Sequence, residues 1–289
     1  MAQTIDSHHH FWRYDPAEYD WIDQSMAVLR RDFLPEDLRT SINAAGIDGV
    51  VSVQARQTLE ETRWLLSLAR EHPFIRGVVG WAPLASPDLQ RELDPLVGDA
   101  NLVGLRHVVQ GEPDDEFILR DDFNRGIDSL RAFGLCYDIL IYERHLPQTI
   151  RFVDRHPGQV FVLDHVAKPN IRVREMEPWR RNIGELARRE HVYCKLSGMV
   201  TEADPQHWSP AQLRPYYDAV LETFGPRRLM FGSDWPVCLL GVEYARWADI
   251  VREWTAALSH TERNQIFGGS AIEAYRLPAA RPAANKPAK

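Results

Sequence analysis

Short apolar runs rich in β-branched residues alternate along the chain with longer stretches whose apolar positions recur every three to four residues. The runs are Thr4-Ile5-Asp6 leading to His8, then 49–54 (GVVSVQ), 76–81 (RGVVGW), 102–106 (LVGLR), 135–140 (LCYDIL), 160–165 (VFVLDH), 192–197 (VYCKLS) and 229–234 (LMFGSD). Helical spacing predicts helices over Leu59 to Glu71, Asp121 to Phe133, Trp179 to Arg189 and Pro210 to Phe224, the last two starting near a Pro or a Ser cap. Strands that alternate with helices pair in parallel through crossovers. Eight such units in 289 residues predict an α/β chain folded as a (β/α)8 TIM barrel, a fold of about 250 residues, in a single domain over residues 1–277. A doubly wound open sheet is the rival, but no GxGxxG or GxxxxGK[ST] follows the first run. The segment Tyr14 to Arg31 reads as an irregular insertion, and residues 278–289 (PAARPAANKPAK) as a disordered tail.

Composition narrows the function classes. Lys plus Arg (34) falls short of Asp plus Glu (41), a formal charge of -7, so the cationic surplus that nucleic-acid binding needs is missing. No apolar window approaches the roughly 18 residues of a membrane span, and MAQTIDSHHHFW lacks the pattern of a secretory signal. Cys136, Cys194 and Cys238 are odd in number, far apart and without a CxxC pair, as expected of buried thiols in a reducing cytoplasm. The oligomeric state is not legible.

In a parallel barrel, chemistry collects at the C-terminal ends of the strands. The first run ends in His8-His9-His10, and two-residue alternation puts His8 and His10 on one side, suited to a metal ion or a polarised carbonyl. The eighth ends in Gly232-Ser233-Asp234-Trp235, where a carboxylate in apolar surroundings needs a partner or a task. A helix cap or a core ion pair is the bland alternative for Asp234. The sixth ends in Asp164-His165. Alternation sends one inward and one outward, and His165 is taken as the inward residue with Asp164 in support. Arg106-His107 ends the fourth run, where Arg106 offers a fork for a carboxylate or carbonyl oxygen, or else braces the rim. His107, Trp12, Tyr142 and Trp235 are assigned with Arg106 to substrate binding. Lys195 and Asp138 receive no role. No GxSxG and no HExxH is present, so serine-hydrolase and zincin chemistry has no support.

IDSHHHFW, GLRHVVQ, LDHVAKP, KLSGM and MFGSDWPV, in order from Thr4 to about Leu277, together resemble the amidohydrolase superfamily, and within it the lactonase branch that includes L-fuconolactonases, L-rhamnonolactonases and 2-pyrone-4,6-dicarboxylate lactonase. The resemblance implies a barrel that hydrolyses a small lactone. It places the superfamily's paired histidines on His8 and His10, its strand-six histidine on His165 and its strand-eight aspartate on Asp234. Arg106-His107 stands where metal-rich members carry a bridging Lys or Glu, and Tyr137-Asp138 where they carry a histidine. A binuclear centre is therefore not expected. The site is left with one Zn²⁺ on His8, His10, His165 and Asp234, or with metal-independent chemistry. The expected activity is opening of a neutral sugar lactone, with Asp234 as general base and His8, His10, His165 and Arg106 polarising the carbonyl. The alternatives are a zinc-dependent decarboxylase or amide hydrolase on the same barrel, and a non-catalytic sugar-binding barrel. The loops Tyr14–Arg31 and Glu112–Arg120 are expected to choose the substrate.

Overall fold

A computed structural model describes residues 2–278, and the predicted tail lies, beyond Pro278, outside the described residues. Eight parallel strands form one sheet in the order β1 to β8: Ile5–His9, Gly49–Val53, Ile75–Gly80, Leu102–His107, Cys136–Ile139, Phe161–Leu163, Val192–Leu196 and Leu229–Phe231. The ring is drawn shut where β1 meets the chain leaving β8: the His10 amide donates to the Trp235 carbonyl at 2.7 Å, and the Asp234 amide to the His8 carbonyl at 2.8 Å. This is the (β/α)8 architecture. A chain so wound puts both ends of the sequence side by side.

Every crossover but one carries a helix of eight residues or more: α1 Pro35–Ala45, α2 Leu59–Glu71, α4 Asp121–Leu130, α5 Leu146–Arg155, α6 Trp179–Leu186 and α7 Pro210–Phe224; α3 Leu89–Leu93 is the short exception, and α8 Tyr244–Thr255 follows β8. α2 starts at the expected residue, Leu59, where the Thr58 hydroxyl accepts from the Glu61 amide at 3.1 Å, and it buries Leu65, Leu66, Leu68 and Ala69. The predicted helix to Phe133 is α-helical only to Leu130 and finishes in a 3₁₀ turn before left-handed Gly134 (φ 70°).

A second apolar cluster fills the barrel interior, with Ile5, Val51, Val53, Val79, Val103, Val162 and Met230 from the strands and Ala274, Tyr275 and Leu277 from the end of the chain. Register slips by one residue in β1: Asp6 lies opposite Val50, but His9 opposite Ser52. The extra residue is a bulge, so Ile5 and His8, three apart, both serve the interior, while Asp6 turns to the β8 side. Strand-period reading misses this.

The sixth and eighth strands stop earlier than their apolar runs. β6 ends at Leu163, after which His165, Val166, Ala167 and Lys168 take φ values of 53°, 49°, 61° and 47°; β8 ends at Phe231, and Asp234 has φ 59°. A left-handed non-glycine residue costs about 1–2 kcal/mol, and such positions concentrate where side chains must be aimed.

Candidate active site

The ends of β1, β4, β6 and β8 bring polar residues to a cavity of about 620 Å³, which His10, Arg106, His165, Lys168 and Asp234 line, with His8 wholly buried behind them. Nε2 of His8 and Nε2 of His10 are 3.2 Å apart. Asp234 Oδ1 lies 3.5 Å from the His10 nitrogen, 3.7 Å from that of His8 and 3.9 Å from Nε2 of His165. All four predicted residues therefore converge on one point.

Each imidazole is aimed through its other nitrogen. His10 Nδ1 faces the Val53 carbonyl at 2.8 Å, which only accepts, so Nδ1 carries a hydrogen and Nε2 is left to the site. His165 Nδ1 is 2.9 Å from Ser197 Oγ, and left-handed Gly198 (φ 63°) packs against the ring so closely that an added Cβ would stand 2.5 Å from Nδ1. Gly198→Ala should displace His165 and destabilise the fold by about 1–3 kcal/mol, to be read by denaturant unfolding; an unchanged midpoint would contradict this packing. His8 Nδ1 lies between Lys195 Nζ at 3.0 Å and Asp164 Oδ1 at 3.3 Å, so a neighbour serves either tautomer.

Burial works to raise the Asp234 carboxyl, but His165 and His10 beside it hold it below the ordinary value, so it stays ionised at neutral pH. Burial pushes His165 down to about 4, and burial with the Lys195 ammonium holds His8 well below 6.5. Neutral His8 and His165 thus face a carboxylate. That donor set suits a zinc ion, whose tetrahedral ligands at about 2.0–2.1 Å stand roughly 3.3 Å apart, and the Nδ1 partners supply the outer contacts such a site requires. The 3.2 Å approach of two Nε2 atoms demands something positive between them: a cation, or a proton donated by His8 to His10.

Two supports escaped the sequence reading. Asp6, buried beneath the histidines, accepts from the Ser233 amide at 2.9 Å, the Ser233 hydroxyl at 2.6 Å, the Tyr244 hydroxyl at 3.0 Å and the His8 amide at 3.1 Å, tying β1 to the turn that carries Asp234. Burial, against those hydrogen bonds, raises its carboxyl to about 6. Lys195 points into the barrel, with Asp138 Oδ2 at 2.5 Å and Asp164 Oδ1 at 2.9 Å, and Tyr275 donates to Asp138 at 2.8 Å. The alternation of Val192 to Ser197 was the available signal, since Lys195 shares its side of the strand with Ser197.

Several expectations are corrected. Asp164 and His165 both reach the site, because the chain leaves the sheet after Leu163 and alternation no longer applies; Asp164 also binds Arg106 at 3.0 Å. His107 faces outward, as the neighbour of an inward Arg106 must: it pairs with Glu112 at 2.6 Å and stacks on Phe117 at 4.8 Å. Trp12 is buried among Tyr19 and Phe33, its indole donating to the Arg31 carbonyl at 2.9 Å, and Trp235 packs edge-on to Phe33 at 5.2 Å. Neither is among the residues lining the cavity. Tyr142 lines an adjoining cleft with Lys168 and Glu202. Of the two loops, Tyr14–Arg31 supplies Ala17, Glu18, Asp20 and Trp21 to the cavity, whereas Glu112–Arg120 supplies none.

Residues 5–277 match the amidohydrolase family. The chain belongs to that family. Its relatives within it include an L-fucono-1,5-lactonase of Burkholderia multivorans, 43% identical over 288 residues with 96% of this chain and 97% of the relative covered. An L-fucono-1,5-lactonase of Burkholderia ambifaria is 37% identical over 281 residues, with the same coverage of each, 96% and 97%. Among solved structures, an amidohydrolase from Burkholderia multivorans with bound zinc aligns at a TM-score of 0.92 and 43% identity, over 96% of this chain and 100% of that one. No helix among the described residues is long and apolar enough to cross a membrane.

Proposed function

We propose that this amidohydrolase is a lactonase that hydrolyses a neutral sugar lactone, L-fucono-1,5-lactone or a close relative, to the open-chain acid. The observation that carries the reading is the convergence of an ionised Asp234 on His8, His10 and His165, with Asp234, His10 and His165 lining a cavity large enough for a small ring. The two Burkholderia relatives support the substrate class.

The cavity wall favours an uncharged polyol. Its two arginines are already paired, Arg56 with Glu18 at 2.7 Å and Arg106 with Asp164 at 3.0 Å, and Asp20, Gln57, Thr58 and Gln110 offer hydrogen bonds to hydroxyls. A dicarboxylated pyrone would need two uncommitted cations there.

In the proposed mechanism a water beside Asp234 attacks the lactone carbonyl carbon while the carboxylate takes its proton. Arg106 and the imidazoles stabilise charge gathering on the carbonyl oxygen. Collapse breaks the bond to the ring oxygen, protonated Asp234 returns the proton to the departing alkoxide, and the new carboxylic acid releases its own proton to solvent. His8, His10, His165 and Asp234 are the residues that would hold a zinc ion, which when bound would supply Lewis acidity toward oxygen.

The test is acid release from L-fucono-1,5-lactone by the purified protein, with and without chelator. Turnover above the uncatalysed rate, with the aldonate as product, is expected. Carbon dioxide release from a carboxylated aromatic instead would favour the decarboxylase alternative, and binding without acid release the sugar-binding one.

A further inference from the structure

Opening a lactone turns an uncharged ester into a carboxylate, so the site must meet a full negative charge that the substrate did not bring. Among the described residues, three cationic side chains other than histidine line the cavity: Arg56, Arg106 and Lys168. Arg56 is engaged by Glu18 at 2.7 Å. Arg106 is engaged by Asp164 at 3.0 Å and by the Gln54 carbonyl. The acid nearest the Lys168 ammonium is Glu202, whose Oε1 lies 3.7 Å from Nζ, beyond hydrogen-bond distance, and its other neighbour is the Tyr142 ring at 5.5 Å. The Lys168 ammonium therefore lines the cavity with one long ion-pair contact, to Glu202, whereas the other two cations there are held at hydrogen-bond distance by carboxylates.

The backbone aims Lys168 there. It closes the left-handed turn that begins at His165, and its amide donates to the His165 carbonyl at 2.8 Å. In a turn closed from i to i+3 the first and last side chains lie one above the other, so the turn that presents His165 presents Lys168 on the same wall. The Trp179 indole holds the middle of the turn by donating to the Val166 carbonyl at 2.8 Å. Four consecutive left-handed residues without a glycine form a costly way to connect a strand to a helix, and the arrangement delivers two side chains to the cavity. The Lys168 charge is also among those that act on Asp234.

We propose that Lys168 is a catalytic residue of this site, its ammonium donating to the lactone carbonyl oxygen as that oxygen gains charge and then holding the product carboxylate. The proposal rests on the lactonase reading and adds to Arg106 a second cation for the charge that ring opening creates. No proton leaves Lys168 in this role; it binds charge that the ring opening creates.

The experiment compares full-length wild type with Lys168→Met and Lys168→Arg. Calorimetry measures affinity for L-fuconate, the ring-opened acid, and for L-fucitol, its uncharged counterpart; steady-state kinetics follow lactone opening. Thermal unfolding is checked first, and Lys168→Gln replaces Lys168→Met if the latter does not fold. The neutral variant should bind fuconate about ten- to hundredfold more weakly while fucitol affinity holds. kcat should fall about tenfold or more, and Lys168→Arg should restore part of the fuconate affinity. Equal loss for both ligands, or no loss for fuconate, overturns the proposal. A wild type that neither opens the lactone nor binds fuconate overturns the lactonase reading itself. An active wild type whose fuconate affinity ignores position 168 overturns this inference alone.

Discussion

Asp234→Asn should lower lactone turnover by roughly 10²–10⁴-fold, the scale of general acid–base catalysis, in a protein that unfolds at the parental temperature. The substitution keeps the shape of the side chain and leaves untouched the amide that donates to His8 at 2.8 Å, so the seam between β1 and β8 remains closed. It removes the negative charge and the basic oxygen on which three imidazole nitrogens converge within 3.9 Å. KM should move far less than kcat, because the lost group acts on water and the leaving oxygen and not on the sugar hydroxyls. Turnover within threefold of the parent in the folded variant would remove Asp234 from the base role.

Lys195→Met should cost about 3–5 kcal/mol of stability, the usual penalty for breaking a buried ion pair from one side. Lys195, Asp138 and Asp164 are wholly buried, and Lys195 is the cation between the two carboxylates. Burial already lifts the Asp138 carboxyl to about 6 despite Lys195, whereas Lys195, His8 and Arg106 outweigh burial at Asp164 and hold it well below the ordinary value. Without the ammonium, Asp138 must take up a proton or remain an unpaired charge. The double variant Lys195→Met/Asp138→Asn should recover part of the loss, since it removes the carboxylate that the single variant strands. Urea unfolding of the parent, both single variants and the double variant closes this cycle. A single Lys195→Met variant as stable as the parent would show that the network does not brace the barrel.

The barrel was legible because its evidence is repeated. Each apolar run marks one parallel strand, and the topology then assigns the chemistry to one end of the sheet without any knowledge of loops. His8, His10, His165 and Asp234 followed from that rule. What escaped was decided by departures from regular geometry. Asp6 stands in the same β1 as the histidines, and only the one-residue slip explains why it turns toward Ser233 and Tyr244 while His8 faces the interior. Lys168 reaches the cavity through a left-handed turn that no two-residue or three-to-four-residue period encodes, and Asp164 stands just before that turn, buried against Arg106 and Lys195. Lys195 acquires meaning only beside Asp138 and Asp164, from strands two and one positions away around the ring. The aromatic residues Trp12 and Trp235 misled for a simpler reason: their place at strand ends is shared by residues that line a cavity and residues that pack the helical shell.

The central claim is that ring opening takes place between Asp234 and the paired histidines, and a crystal structure of Asp234→Asn soaked with L-fucono-1,5-lactone tests it most directly. The account predicts an intact ring with its carbonyl carbon within about 3.5 Å of a water held beside position 234, the approach of a near-attack geometry, and with His8 and His10 on the carbonyl side. A lactone seated elsewhere, with its carbonyl turned from both histidines, would contradict it.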